Sequence, residues 1–150
     1  MAFMHKRKLI RVLDLDKIHA AIKNAEKVTS GEIRVSVSPF FWGKIRPVAE
    51  RAFHRLKMDA TKDRNGILFF VVPSRRRFVV LGDAGIHARV GQEFWNEVAA
   101  TLSVEFRKGR FQEGLLRGIA LAGEKLAATF PYDAAIDRNE LPDDVDFGKN

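Results

Sequence analysis

One stretch constrains this chain more than any other: Arg64-Asn65-Gly66 followed by Ile67-Leu68-Phe69-Phe70-Val71-Val72. Asn-Gly is a tight-turn signal, and six consecutive apolar residues are what a strand buried on both faces looks like. Phe78 to Leu81 begins a second apolar run almost at once. So short a connection through Pro73 to Arg76 permits only an antiparallel hairpin. A central strand needs cover on two sides, so the rest of the chain must supply helices for both.

The helical periodicities supply them. Asp14 and Asp16 are candidate N-caps for a helix to about Val28, with Ile18, Ala21, Ile22 and Ala25 on one face. Glu32 to Ser38 alternates, Ile33, Val35 and Val37 against Arg34, Ser36 and Ser38, as a strand does. A second helix runs from near Pro47 to about Lys57. Two more span about Gln92–Lys108 and Phe111–Phe130, separated by Gly109 and ended by Pro131. The order α-β-α-β-β-α-α predicts a single-domain α/β/α sandwich: a small mixed sheet, made of a parallel pair plus a β-hairpin, with helices on both faces. The expected divisions are a basic N-terminal extension over 1–13, the domain over 14–131, and a loosely packed acidic tail over 132–150.

Charge separates along the chain. The whole carries +7, yet the segment from Pro131 holds six acids and two bases. Residues 1–130 therefore hold 24 bases against 13 acids, or +11. A basic body with an acidic tail either neutralises itself or offers a surface to phosphates, anionic lipid or nucleic acid. The chain contains no cysteine, which removes disulfides, thiolate metal sites and cysteine nucleophiles from consideration. No apolar run approaches the roughly 20 residues of a membrane-spanning helix, and Leu9–Leu13 is too short and too interrupted for a signal-peptide core. The expectation is a cytoplasmic protein without an integral membrane segment, with peripheral membrane contact as a further possibility.

Topology then predicts two functional rims. With the first two strands parallel and the next two antiparallel, the start of strand 1, the start of strand 2 and the end of strand 3 share one edge of the sheet. That edge collects Glu32, Asp63, Asn65 and Asp83 as candidate metal ligands, supported by Thr29, Ser30, Thr61 and Arg64. An all-oxygen shell of this kind suits Ca²⁺ or Mg²⁺. On geometry alone a structural reading ranks ahead: Glu32 and Asp83 pairing with Arg64 and capping backbone N–H groups.

The opposite edge collects Phe40, Phe41, Trp42, Lys44 and Arg46 with the hairpin tip Arg75, Arg76 and Arg77. Cations interleaved with aromatics suit a membrane interface or stacked nucleic acid. The competing reading is a packed loop whose aromatics cover helix ends. Other motifs carry less. Asp14-Leu15-Asp16 resembles an aspartyl-phosphate phosphatase start, but helix follows where that site needs a loop. His5, His19, His54 and His87 lack metal-ligand spacing, and no Walker loop, GxGxxG or GxSxG occurs. The basic Phe106–Phe111 run reads as helix-end capping.

The blocks "AIKNAEKVTSGEIRVSV", "RNGILFFV", "RRFVVLGDAGI" with "FW" shortly after, "FRKGRFQEGLLRGI" and the late "FP…NELPDD" resemble the TPM domain family. That family takes its name from a thylakoid lumen protein, a photosystem II repair protein and a nematode receptor modulator. The resemblance spans about residues 16–146 and implies an α/β/α sandwich. It also implies calcium binding, proposed for some members, and acid phosphatase activity, proposed for plant members, with Glu32, Asp63, Asn65 and Asp83 as the carried-over polar-loop residues. Many relatives carry a signal peptide, a transmembrane helix and a Gly-rich tail, which this sequence does not show.

Three functions follow as expectations. The first is a non-enzymatic divalent-cation-binding interaction domain, with a protein or an anionic membrane as partner. The second is a metal-assisted phosphatase acting on phosphate monoesters, with Arg64 stabilising charge; no candidate base stands out, Glu32 or Asp63 serving only where it is not already a ligand. The third is a basic-rim binder of anionic membrane or nucleic acid, nucleic acid being the less expected because no recognition signature is present.

Overall fold

The computed structural model describes residues 13–133 and 141–148. Most of the basic N-terminal extension, and Asp137, Arg138, Glu140 and Lys149 of the acidic tail, lie outside the described residues.

The elements run α1 (Leu15–Glu26), β1 (Glu32–Val37), α2 (Ile45–Arg55), β2 (Gly66–Val72), a 3₁₀ turn (Pro73–Arg75), β3 (Arg77–Gly82), α3 (Ala84–His87), α4 (Gln92–Arg107) and α5 (Phe111–Thr129). The sheet order is β1-β2-β3, with β1 parallel and β3 antiparallel to β2. Glu32 pairs with Gly66 and Ile67 with Gly82. The starts of β1 and β2 and the end of β3 therefore share one edge, as the connectivity requires.

The alternation of β2 builds both cores. Ile67, Phe69 and Val71 face α1, α4 and α5, meeting Ile22, Leu102 and Ile119. Leu68, Phe70 and Val72 face α2, meeting Ala49, Ala52 and Phe53. All six side chains are buried, each contributing roughly 1.5–3 kcal/mol of hydrophobic stabilisation. This is why the apolar run is unbroken.

Local chemistry sets the boundaries. Asp14 caps α1, its carboxylate accepting from Lys17 N. The hairpin turns on Arg76, a non-glycine residue at φ 50°. Gly109 at φ 75° reverses the chain between α4 and α5, a conformation glycine adopts without steric cost.

Two features depart from the expectations. A single helical turn, α3, follows β3 directly, because Asp83 accepts from Ala84 N and starts it. Four residues are too few to leave a periodic trace in the sequence. The acidic tail is also not loosely packed over its described part. Val37 N donates to Asp146 O at 2.7 Å and Asp146 N donates to Val35 O at 2.9 Å, so this segment lies along the outer edge of β1 and satisfies groups an edge strand would expose. Leu141 is buried in the α2-side core, and Val145 and Phe147 pack on the other.

Candidate functional site

At the first rim three loops meet as the topology demands, and hydrogen bonds fix them to one another. Glu32 N donates to Asn65 O at 3.2 Å, tying the start of β1 to the loop before β2. Asn65 is buried; its Nδ2 donates to Ser30 O at 3.2 Å and its backbone N donates to Thr61 Oγ1 at 3.2 Å. Thr29 Oγ1 accepts from Gly31 N and donates to Phe130 O, lashing the same loop to the end of α5. Arg64 grips Asp83 with Nε–Oδ2 at 2.6 Å and Nη2–Oδ1 at 2.9 Å. Gly85 N donates to Arg64 O at 2.9 Å. A Cβ on Gly85 would stand 2.2 Å from Asp63 O, so only glycine permits this approach of α3 to the loop. The charged loop hugs the sheet because its backbone is bonded to the neighbours on both sides.

Arg64 sits at φ 51°, a left-handed conformation that costs a non-glycine residue energy. Its ion pair raises the Arg64 guanidinium further, first through the hydrogen bond to Asp83 and then through that carboxylate's charge. Asp83 thus follows the structural reading: it pairs with Arg64 and caps Ala84. Asp63 lies exposed at the loop surface.

Glu32 belongs to a different group, which sequence reasoning missed. It is buried beside Glu26 of α1, which also contacts Asp143 of the C-terminal segment. Burial pushes the Glu26 carboxyl up to about 10; hydrogen bonds to Asp143 and Glu32 add to this, and the Ile33 N–H opposes it. Glu26 Oε2 accepts that N–H at 3.1 Å. His19 Nε2 lies 3.9 Å from Asp143 Oδ2. Spacing could not have found this group, since its members come from a helix, a strand and a segment more than a hundred residues later. The one available signal was Glu26 following the buried Ile22 and Ala25 on the inward side of α1.

The second rim is ordered by Arg75. Its Nη1 donates to Gly43 O at 2.9 Å and to Phe41 O at 3.3 Å, and its guanidinium lies 5.1 Å from the Phe41 ring centre. The hairpin tip therefore holds the loop between β1 and α2. Phe40 stacks edge-on against Trp42 at 4.8 Å, and Trp42 remains 76% exposed. Lys44, Arg46, Arg76 and Arg77 are exposed; Arg76 reaches across to Arg107 O at 3.3 Å, and Arg46 lines a groove with Leu81, Gly82 and His87 toward the far end of β3. The packed-loop reading accounts for Phe41, which lies against the α2-side core; it does not account for Trp42.

The family model for the TPM domain matches residues 6–125. The chain belongs to the TPM domain family. A solved relative agrees: the NMR structure of the BA42 protein from the psychrophilic bacterium Bizionia argentinensis sp. nov. is 39% identical, with a TM-score of 0.84 over 91% of this chain and 95% of that one. A comparison with curated proteins gave no match.

In this TPM domain the first-rim oxygens suit a hard cation in kind but are not assembled as a shell. Both Asp83 oxygens are held by Arg64, and the Asn65 amide is engaged by Ser30 and Thr61. Among the described residues no three His, Cys, Asp or Glu side chains are grouped to hold a metal ion. No helix of the described residues is long and apolar enough to cross a membrane.

Proposed function

We propose that this TPM domain works by binding rather than by turnover, docking onto an anionic membrane surface through its basic aromatic rim. The observation that carries the reading is Trp42: a large apolar ring, exposed and steadied by Phe40, on a loop that carries Lys44 and is bonded to the basic hairpin tip through Arg75. Tryptophan sits favourably at headgroup depth, with its apolar body toward the acyl chains and its N–H toward water. Each neighbouring cation near an anionic surface adds about 1 kcal/mol. The Arg75 bonds hold the loop in place before binding, which lowers the ordering cost. Replacing Phe40, Phe41 and Trp42 with serine tests it. Binding to phosphatidylglycerol vesicles should be lost; retention of binding sinks the reading. Equal salt-sensitive binding to oligonucleotides but not vesicles would assign the rim to nucleic acid instead.

A second reading places a divalent cation, Ca²⁺ or Mg²⁺, at the first rim. It is supported by the oxygen-rich character of this edge, where the loops carrying Glu32, Asp63, Asn65 and Asp83 converge. Asp63, Asn65 and Asp83 stand on the neighbouring loops, Asp83 becoming available only if Arg64 releases it. A Ca²⁺ titration followed by amide NMR should move Glu32, Ile33 and Asp63–Gly66; a flat titration to millimolar metal rejects it. Turnover of a phosphate monoester that vanishes on changing Glu32 and Asp83 would replace both readings with the phosphatase.

A further inference from the structure

A groove of about 610 Å³ opens at the carboxyl end of β1, between that strand, α2 and the C-terminal segment. Its size falls within the range of small-molecule sites, and in α/β sheets the carboxyl ends of parallel strands are where ligands bind. The floor is apolar, built from Val48 and Ala52 of α2, Phe70 of β2, and Phe147. Two guanidiniums reach it, those of Arg51 and Arg55, one helical turn apart on α2.

The two are not equivalent. Arg55 is bonded twice to Asp146, Nη1–Oδ1 at 3.1 Å and Nη2–Oδ2 at 2.8 Å. Asp146 also accepts from Ser36 Oγ at 2.8 Å and Gly148 N at 3.1 Å. Burial works to raise the Asp146 carboxyl, but Arg55, Ser36 and the Gly148 N–H outweigh it and hold it low. The Arg55–Asp146 pair is therefore charge-neutral, with three guanidinium N–H donors left over. Arg51 has no ion pair among the described residues. The groove consequently keeps one uncompensated positive charge above an apolar floor.

We propose that this groove binds a small oxyanion carried on an apolar body, such as a phosphate monoester or carboxylate of an aromatic or short acyl group. Arg51 takes the oxyanion through the planar fork that suits both heads. The apolar body lies on Phe70 and Phe147. This site borders the membrane rim, sharing the chain that leaves β1 at Ser38 and Pro39, but it needs no vesicle for its test.

The probe is phenyl phosphate, followed by amide NMR, with phenol and inorganic phosphate as its two halves. Millimolar phenyl phosphate should shift Ser36, Ser38, Ala52 and Gly148, each half alone should shift them far less, and Arg51→Ala should weaken binding about tenfold. Arg51 is exposed on α2, so the alanine variant keeps the helix; Arg51→Glu should abolish binding altogether. No shifts, equal shifts with inorganic phosphate alone, or unchanged affinity in Arg51→Ala would each overturn the proposal. Soluble dihexanoyl phosphatidic acid separates the sources: stronger shifts than phenyl phosphate assign the oxyanion to a lipid headgroup, and weaker ones to a free small molecule.

Discussion

Arg64 and Asp83 are joined by two parallel hydrogen bonds, with Arg64 in a left-handed backbone conformation and Asp83 also capping Ala84 N. One carboxylate therefore closes a turn, starts a helix and compensates the strained residue facing it. Asp83→Ala should lower stability by about 1–2 kcal/mol through the cap alone. Urea denaturation would read this as a lower midpoint at unchanged slope. Arg64→Gly removes the strain along with the pair, and its midpoint should lie above that of Arg64→Ala.

Gly85 makes a sharper case, because a Cβ there meets Asp63 O and Arg64 O at 2.2 and 2.6 Å. Both obstacles are backbone and cannot rotate away. Gly85→Ala should cost about 1–3 kcal/mol and shift the amides of residues 63–66, where a purely local helix effect would leave them in place.

The Glu26 carboxyl sets a pH dependence. Its folded value, about 10, lies above the ordinary 4.5, so the folded state holds the proton that the unfolded state releases between them. Stability should therefore fall as pH rises across that window. Glu26→Gln keeps a hydrogen-bond donor without the titration. It should flatten the slope and raise the denaturation midpoint at pH 8 relative to the wild type. An unchanged slope would place the proton elsewhere.

Asp146 gives the opposite sign. Held below its ordinary value chiefly by Arg55 against the effect of burial, it contributes stability above the unfolded pKa that is lost as pH falls through the folded one. Asp146→Ala should cost about 2–3 kcal/mol, because Arg55 and Ser36 lose their partner together. Faster hydrogen exchange at Val37 N–H would show that the edge of β1 had opened.

The backbone of this fold was readable from periodicity. The unbroken run Ile67–Val72 meant a strand covered twice, and the short Pro73–Arg76 connection meant a hairpin; both follow from local pattern. The convergence of Ser30, Asn65 and Asp83 was likewise readable, since connectivity alone brings their loops to one edge. Whether such side chains satisfy one another depends on rotamers and distances that no spacing encodes. Glu26 and Asp143 escaped notice for a similar reason: their contact joins distant segments. Asp146 escaped because acidic residues near a chain end normally signal solvent, and only the partnership with Arg55 and Ser36 makes this one structural.

The central claim is that Trp42 enters an anionic membrane surface, and tryptophan emission measures this directly. On addition of phosphatidylglycerol vesicles the wild type should shift to the blue, Trp42→Ser should show no shift although it retains Trp95, and phosphatidylcholine vesicles should produce none in either protein. An unchanged wild-type emission spectrum with anionic vesicles, or the same shift in Trp42→Ser, would contradict the account.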